Sequence, residues 1–349
     1  MKRTWLFLTL ILGTTQLWGQ DWRWEMDFGF RFDNREYANT SLSPSLTHFG
    51  ITAAPRIGWT WSEGHSLLTG ISLQQQFGQS DPALQTELQL YYQYEQADFQ
   101  VQAGCFPSLK RSGDYPTAFL DEALFFDTTY EGLRLNWHYL PTGSLEFITD
   151  WYGYRNEFSR ERFRLLIYGK QALYGSLYAA FPFMLHHYAD SDRIRGVVDN
   201  IWIYPHIGMG LPAGALDLDL QLGWMKTFQN DRRQQKGYLN PGGFQTTLSL
   251  RWKSLGVRNT LYLGKNLLPY YAVNDASGSP YGTDLYFGNL FYRTTGGYYD
   301  AVEFSWEPNI DRRQLVHLQI RSVHHFTREG TAWQQLITLL VNFGAPFHP

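Results

Sequence analysis

From Trp22 to Phe32 every even-numbered residue is apolar, namely Trp22, Trp24, Met26, Phe28, Phe30 and Phe32, while the odd positions carry Arg23, Glu25, Asp27, Gly29 and Arg31. A period of two means a strand, because successive strand side chains point to opposite faces. The character of the two faces constrains the fold further. A soluble sandwich would bury small and medium aliphatics on one side, whereas this apolar face is built from large aromatic groups opposite full charges. That arrangement suits a strand with lipid on one side and a hydrated interior on the other, the pattern of a transmembrane β-barrel.

The N-terminal segment is of another kind. Lys2-Arg3, the apolar run Trp5 to Leu12 and the small residue Gly19 read as a secretory signal peptide over residues 1–19, cut between Gly19 and Gln20, with residues 20–349 forming one barrel domain. The run is too short to cross a bilayer as a helix. No cysteine lies near the cut, which argues against a lipoprotein anchor. The single cysteine, Cys105, cannot form an internal disulfide and is expected to pack as a small apolar side chain. No later stretch is apolar for the ~20 residues a membrane helix needs, so a helical membrane protein is excluded. A barrel is not, because its polar inner half keeps the mean hydropathy low, here −0.35. A net charge of −3 argues against nucleic acid as a partner.

The alternation recurs along the chain. It runs through Phe49, Ile51, Ala53, Ile57, Trp59 and Trp61, through Leu67 to Phe77, Leu88 to Tyr94, Phe99 to Cys105, Leu133 to Tyr139, Leu145 to Trp151 and Phe163 to Ile167. The second half repeats it at Leu177 to Phe183, Ile201 to Met209, Leu216 to Trp224, Leu248 to Trp252, Val257 to Leu263, Val302 to Trp306, Val316 to Ile320 and Ile337 to Phe343. This predicts roughly sixteen strands, an even number that leaves both termini on one side. Connections sort by parity. Tight turns are predicted at Glu63, Ala97, Pro141, Lys170, Pro212, Ser254 and Asn309, with mostly longer polar loops between them. Pro55, Pro182 and Pro205 fall inside predicted strands, where each removes a ladder hydrogen bond and marks a bulge or a shift of register. Tyr286 to Arg293 is assigned to the long loop Lys265 to Gly297.

Signal peptide, alternating strands, loop parity and the terminal apolar and aromatic strand Ile337 to Phe347 together resemble the bacterial outer-membrane porins as a class. The resemblance implies an all-β, antiparallel up-and-down barrel in the cell outer membrane, passing small hydrophilic solutes by passive diffusion, with no catalysis and no cofactor. It implies outer-membrane lipids and the barrel-assembly machinery as partners and leaves homo-oligomerisation open. One departure is the terminus, where Phe347 is followed by His348-Pro349 rather than ending on an aromatic. In porins of this size the third external loop folds inward and narrows the channel. Here that loop is Phe106 to Leu124, with acidic Asp114, Asp121 and Glu122. The resemblance places basic wall side chains across from it, for which Arg23, Arg31, Arg56, Arg134, Arg162 and Arg164 are the inward-facing candidates, so that a transverse field would orient solutes. A plainer role stands beside this one: Arg162 and Arg164 can pair with Glu146 and Asp150 across a ladder.

Other functions find less support. A barrel hydrolase needs a Ser, a His and an acidic orienter that converge, and Gly278-Ser279 lacks the Gly-x-Ser-x-Gly context. The doublets His186-His187 and His324-His325 point to opposite faces of a strand, so only one of each pair can enter a given site, and no metal site is predicted. Asn274, Asp275, Ser277 and Asp284 offer oxygen ligands without EF-hand spacing. A plugged barrel acting as a surface-binding or assembly component, with Lys265 to Gly297 as the plug, is the alternative to the channel.

Overall fold

The structure, a computed structural model, describes residues 20–78, 84–108, 111–121, 125–139, 142–154, 161–189, 197–232, 237–267, 287–310 and 315–347. The predicted signal peptide, Glu122, and the loop residues Asn274, Asp275, Ser277, Gly278, Ser279 and Asp284 lie outside them. Strand segments in chain order are β1 Gln20–Glu36, β2 Leu46–Trp61, β3 His65–Gln76, β4 Gln85–Gln96, β5 Phe99–Pro107, β6 Thr129–Trp137, β7 Gly143–Gly153, β8 Glu161–Tyr174 and β9 Leu177–Ala189. They continue as β10 Val197–Ile203, β11 His206–Ala213, β12 Leu216–Asp231, β13 Gly242–Trp252, β14 Leu255–Gly264, β15 Tyr298–Trp306, β16 Val316–Thr327 and β17 Gly330–Phe347.

The segments pair antiparallel with their sequence neighbours, β10 with β11 excepted, and β1 also pairs with β17, so the sheet closes on itself. β10 and β11 each pair with both β9 and β12 in one continuous register. They are two halves of one stave, which makes a closed barrel of sixteen strands. Closure satisfies every edge, the condition for a sheet to cross lipid.

The interruption at Tyr204-Pro205 has a local cause. Pro182 on β9 stands opposite Tyr204, and Pro205 stands opposite Trp224 of β12; both lack N–H groups, so two ladder bonds are missing close together. Tyr204 N still donates to Pro182 O at 3.0 Å and Trp224 N to Pro205 O at 3.1 Å. Tyr204 O, deprived of the Pro182 donor, lies 3.1 Å from the ring nitrogen Nδ1 of His206. Pro55 likewise opens a gap between β2 and β3, from Ala53↔Leu73 to Arg56↔Gly70. None of the three prolines shifts the register of these ladders, so they are gaps and not slips.

The facing of the strands follows the alternation. Trp22, Ile57, Leu88, Phe181, Ile207, Leu222 and Phe304 are exposed on the outer wall, while Glu25, Arg31, Arg56, Gln89, Arg134, Glu146 and Asp150 are buried inside. Aromatic groups ring both rims of the outer wall. Trp22 packs against Trp59 at 6.3 Å and Trp137 against Tyr139 at 5.2 Å near the tight turns; Phe49 meets Phe77 at 5.0 Å and Trp151 meets Phe163 at 5.0 Å near the long loops. Such girdles mark the two interfaces of a membrane.

Two boundaries differ from the sequence reading. The turn predicted at Lys170 lies at Gly175-Ser176, because Gly169, Lys170 and Gln171 continue the ladder opposite Phe181, Ala180 and Ala179. Their small and polar side chains interrupt the apolar rhythm without interrupting the backbone. β9 also runs on through His186 and His187 to Ala189, into what reads as polar loop.

Candidate constriction site

The inner wall is less uniformly polar than the sequence suggests. Leu68, Tyr91, Tyr130, Ile148, Leu166, Met184, Trp202, Met225 and Tyr262 form a buried apolar belt on inward-facing positions. It serves as the seat for loops. The loop between β5 and β6 turns into the barrel and places Ala118, Phe119 and Leu120 in the same cluster, with Phe119 edge-on to Trp202 at 5.9 Å. Leu267, Phe291 and Tyr292, from the ends of the loop between β14 and β15, join it. The two loops also bond to each other, Asn289 N to Thr117 O at 2.8 Å and Asp121 N to Phe287 O at 2.6 Å.

Charged wall residues hold the β5–β6 loop at both ends. Glu146 on β7 accepts from Ser112 N at 2.7 Å, Ser112 Oγ at 2.9 Å and Gly113 N at 2.8 Å, and is paired with Arg134 at 3.0 Å. On the other side Arg35 reaches Asp121 at 2.8 Å and Asp33 at 2.9 Å. Burial pushes the Tyr115 hydroxyl in this loop well above its ordinary range, so it stays neutral, with its ring edge-on to Tyr168 at 5.8 Å.

Most of the arginines expected to face the acidic loop are occupied by carboxylates of the wall, and Arg164 also reaches Asp127 at the end of the β5–β6 loop. Arg164 lies between Asp150 at 2.5 Å and Asp127 at 2.6 Å, 4.6 Å from the Phe287 ring. Arg134 is held by Glu146, as above. Arg56 pairs with Glu25 at 2.9 Å and with Asp27, and Arg23 pairs with Glu25 at 2.5 Å. Arg162 lies near the loop-bearing rim over Tyr188, 5.7 Å from its centroid. Of the pairings the sequence offered, Arg164 with Asp150 forms, whereas Glu146 takes Arg134. Arg31 lies near the loop, 5.3 Å from the Phe125 ring, hydrogen bonded to Thr338 at 3.3 Å and 3.9 Å from Asp33.

Two cavities flank the inward loop. One of about 100 Å³ is bordered by Asp114, Thr117, Gln221, Gln245, Arg258 and Arg321 among others. The second, of about 330 Å³, is bordered by Arg31, Arg111, Asp114, Arg258, Arg321 and Thr338 among others. Asp114, Tyr115, Thr117, Arg258 and Arg321 border both, so the cavities meet at a belt between the loop and the wall of β14 and β16. At that belt Asp114 is exposed, and among the described residues no cation lies within ion-pair distance of it. Arg258 is also exposed, bonded to Ser249 Oγ at 3.2 Å. Arg321 pairs with Glu303 at 3.3 Å, and Arg111 bonds Tyr130 Oη at 3.1 Å.

Arg258, Arg321 and Arg111 were not singled out from the sequence. Arg258 and Arg321 sit at inward positions of β14 and β16, so the same parity rule that selected Arg134 and Arg164 would have found them. Asp114 and Asp121, both named, come to different ends: Asp114 borders the cavities, and Asp121 is held by Arg35. The histidine doublets diverge as strand geometry requires. His186 faces inward against Tyr152 Oη at 2.5 Å, and His187 lies on the other face against Asp199 at 2.7 Å. Among the described residues no group of three or more His, Cys, Asp or Glu side chains is placed to hold a metal ion.

No family model matches the sequence, and no curated protein matches it. Solved structures do. OpdL of Pseudomonas aeruginosa is 14% identical, with 95% of this chain and 100% of that chain covered at a TM-score of 0.53. OccK8 (OprE) of the same organism is 8% identical, with 94% and 99% covered at 0.52. OpdK of that organism, solved with vanillate, is 10% identical, with 93% and 99% covered at 0.50. At these identities the likeness is one of fold: the chain has the architecture of a porin-type outer-membrane β-barrel.

Proposed function

We propose that this protein is an outer-membrane channel through which small hydrophilic solutes diffuse passively, and that its selective point is the belt where Asp114 faces Arg258 and Arg321. The observation that carries this reading is the pair of cavities meeting on either side of one inward loop. A barrel whose lumen served only as scaffold would gain from packing that space, as the apolar belt does elsewhere. Instead, an exposed carboxylate and an exposed guanidinium border it. Water stays with such groups, because removing an unpaired charge from water is costly.

The balance of charge favours anions. Among the residues bordering the larger cavity, Arg321 is paired with Glu303, Arg31 lies 3.9 Å from Asp33 and Asp121 is neutralised by Arg35, which leaves Arg111 and Arg258 against Asp114. OpdK, of the same fold, has been solved with vanillate, and a small organic anion fits the surplus of guanidinium groups here.

Recording from purified protein in planar bilayers tests the proposal. Stepwise ion currents with anion preference are expected in a salt gradient. Asp114→Asn should move the reversal potential towards stronger anion preference, and Arg258→Gln should move it the other way. Absence of current from correctly assembled barrels would overturn the channel reading, and unchanged potentials in both variants would overturn the location of the selective point.

A further inference from the structure

The outer wall carries a depression of about 630 Å³ whose walls include Phe181, Ile207, Leu222 and Tyr139, with Gly169 and Ala179 in its floor. Most outward positions on this wall carry large side chains; here two small ones, Gly169 and Ala179, lie diagonally across the β8–β9 ladder. A Cβ added to Gly169 would meet nothing within 4 Å. The depression lies against the stave interrupted at Pro205, next to the paired gaps left by Pro182 and Pro205.

Its position decides what fills it. Gly169 stands ~20 Å along β8 from the turn at Gly175, which at the usual strand tilt is ~15 Å above the turn-bearing rim and inside the ~25 Å apolar band. Tyr139, part of the girdle at that rim, closes its lower end. An empty hollow in this position forfeits the dispersion contacts its lining would otherwise make. Water, which needs two to four polar partners when buried, is disfavoured too. Of the polar side chains in the lining, Lys170 lies over the Tyr178 ring, His206 is bonded to Tyr204 O and Gln171 to Thr142 Oγ1 and Ala172 O, and the remaining lining side chains are apolar or aromatic. We infer that the trough binds one acyl chain of a phospholipid from the periplasm-facing leaflet, with the headgroup at the level of Tyr139. The chain would lie along Phe181, Ile207 and Leu222 and cover the seam where the ladder is thinned. This holds whether or not the barrel conducts.

Native mass spectrometry of the detergent-purified protein, after incubation with phosphatidylethanolamine, provides the test. The wild type should retain one phospholipid per barrel through detergent exchange that strips the rest. Gly169→Trp and Ala179→Phe, which fill the floor in two independent ways, should each lower that occupancy about tenfold, while Val257→Trp on the far wall should not. Retention unchanged in both filled variants would overturn the inference. So would a dimer in the wild type that either filling abolishes, since the trough would then receive a second copy of the chain.

Discussion

Glu329 illustrates how a single carboxylate can hold a loop. It lies in the two-residue turn between β16 and β17 and accepts from Thr294 Oγ1 at 2.7 Å, Thr295 N at 2.6 Å, Thr295 Oγ1 at 2.7 Å and Gly296 N at 3.0 Å. Partial burial works to raise its pKa, but these donors together bring it from 4.5 down to about 2. A depressed folded-state pKa means that the stabilisation is complete above the unfolded value near 4.5 and is lost as pH falls through about 2. The end of the β14–β15 loop should therefore resist proteolysis from pH 7 to pH 4.5, and Glu329→Ala should make it protease-sensitive throughout that range. Next to it, Gly330 has φ +135°, and a Cβ there would stand 1.9 Å from Asn39 O. Gly330→Ala should displace the β1–β2 loop, visible as new protease cleavage near Asn39, because both the backbone conformation and the space favour glycine alone.

At the scale of elements, strands and loops differ in how much of them the sequence reveals. Facing is legible because a period of two repeats on every stave, and it makes a direct prediction. Leu220→Arg, on the lipid side of β12, should cost up to about 2–4 kcal/mol of folding stability, depending on its depth in the bilayer, while Gln221→Arg in the lumen should be tolerated, as urea unfolding in lipid would show. Strand ends are less legible where Gly169-Lys170-Gln171 carry the ladder without apolar side chains. Least legible is the seat of the β5–β6 loop. Its inward turn is anticipated from a resemblance, but its partners, Glu146 below and Arg35 beyond, are fixed by contacts between residues far apart in sequence. No local pattern distinguishes Arg258, left exposed, from Arg164, enclosed by two carboxylates and three aromatic rings. The Glu146 anchor is testable. Glu146→Ala removes the acceptor for Ser112 and Gly113 and leaves Arg134 without its carboxylate, so it should bring larger, noisier currents and protease cleavage near Gly113 while the barrel still assembles.

For the molecule as a whole, β1 has two tasks. It seals the sheet against β17 over a register from Trp22↔Phe347 to Glu36↔Trp333, and its Asp33 and Arg35 receive both Gln334 of β17, at 2.7 Å, and Asp121 of the inward loop. A double-mutant cycle on Arg35 and Asp121 should show coupling of about 0.5–3 kcal/mol, read from unfolding of the assembled barrel. The inward loop rests at one end on β7 and at the other on Arg35 of the strand that closes the circle, and Asp33, the carboxylate paired with Arg35, gains Gln334 of β17 only when the last strand meets the first. Sealing the wall and completing the seat of the inward loop are then expected to fall together.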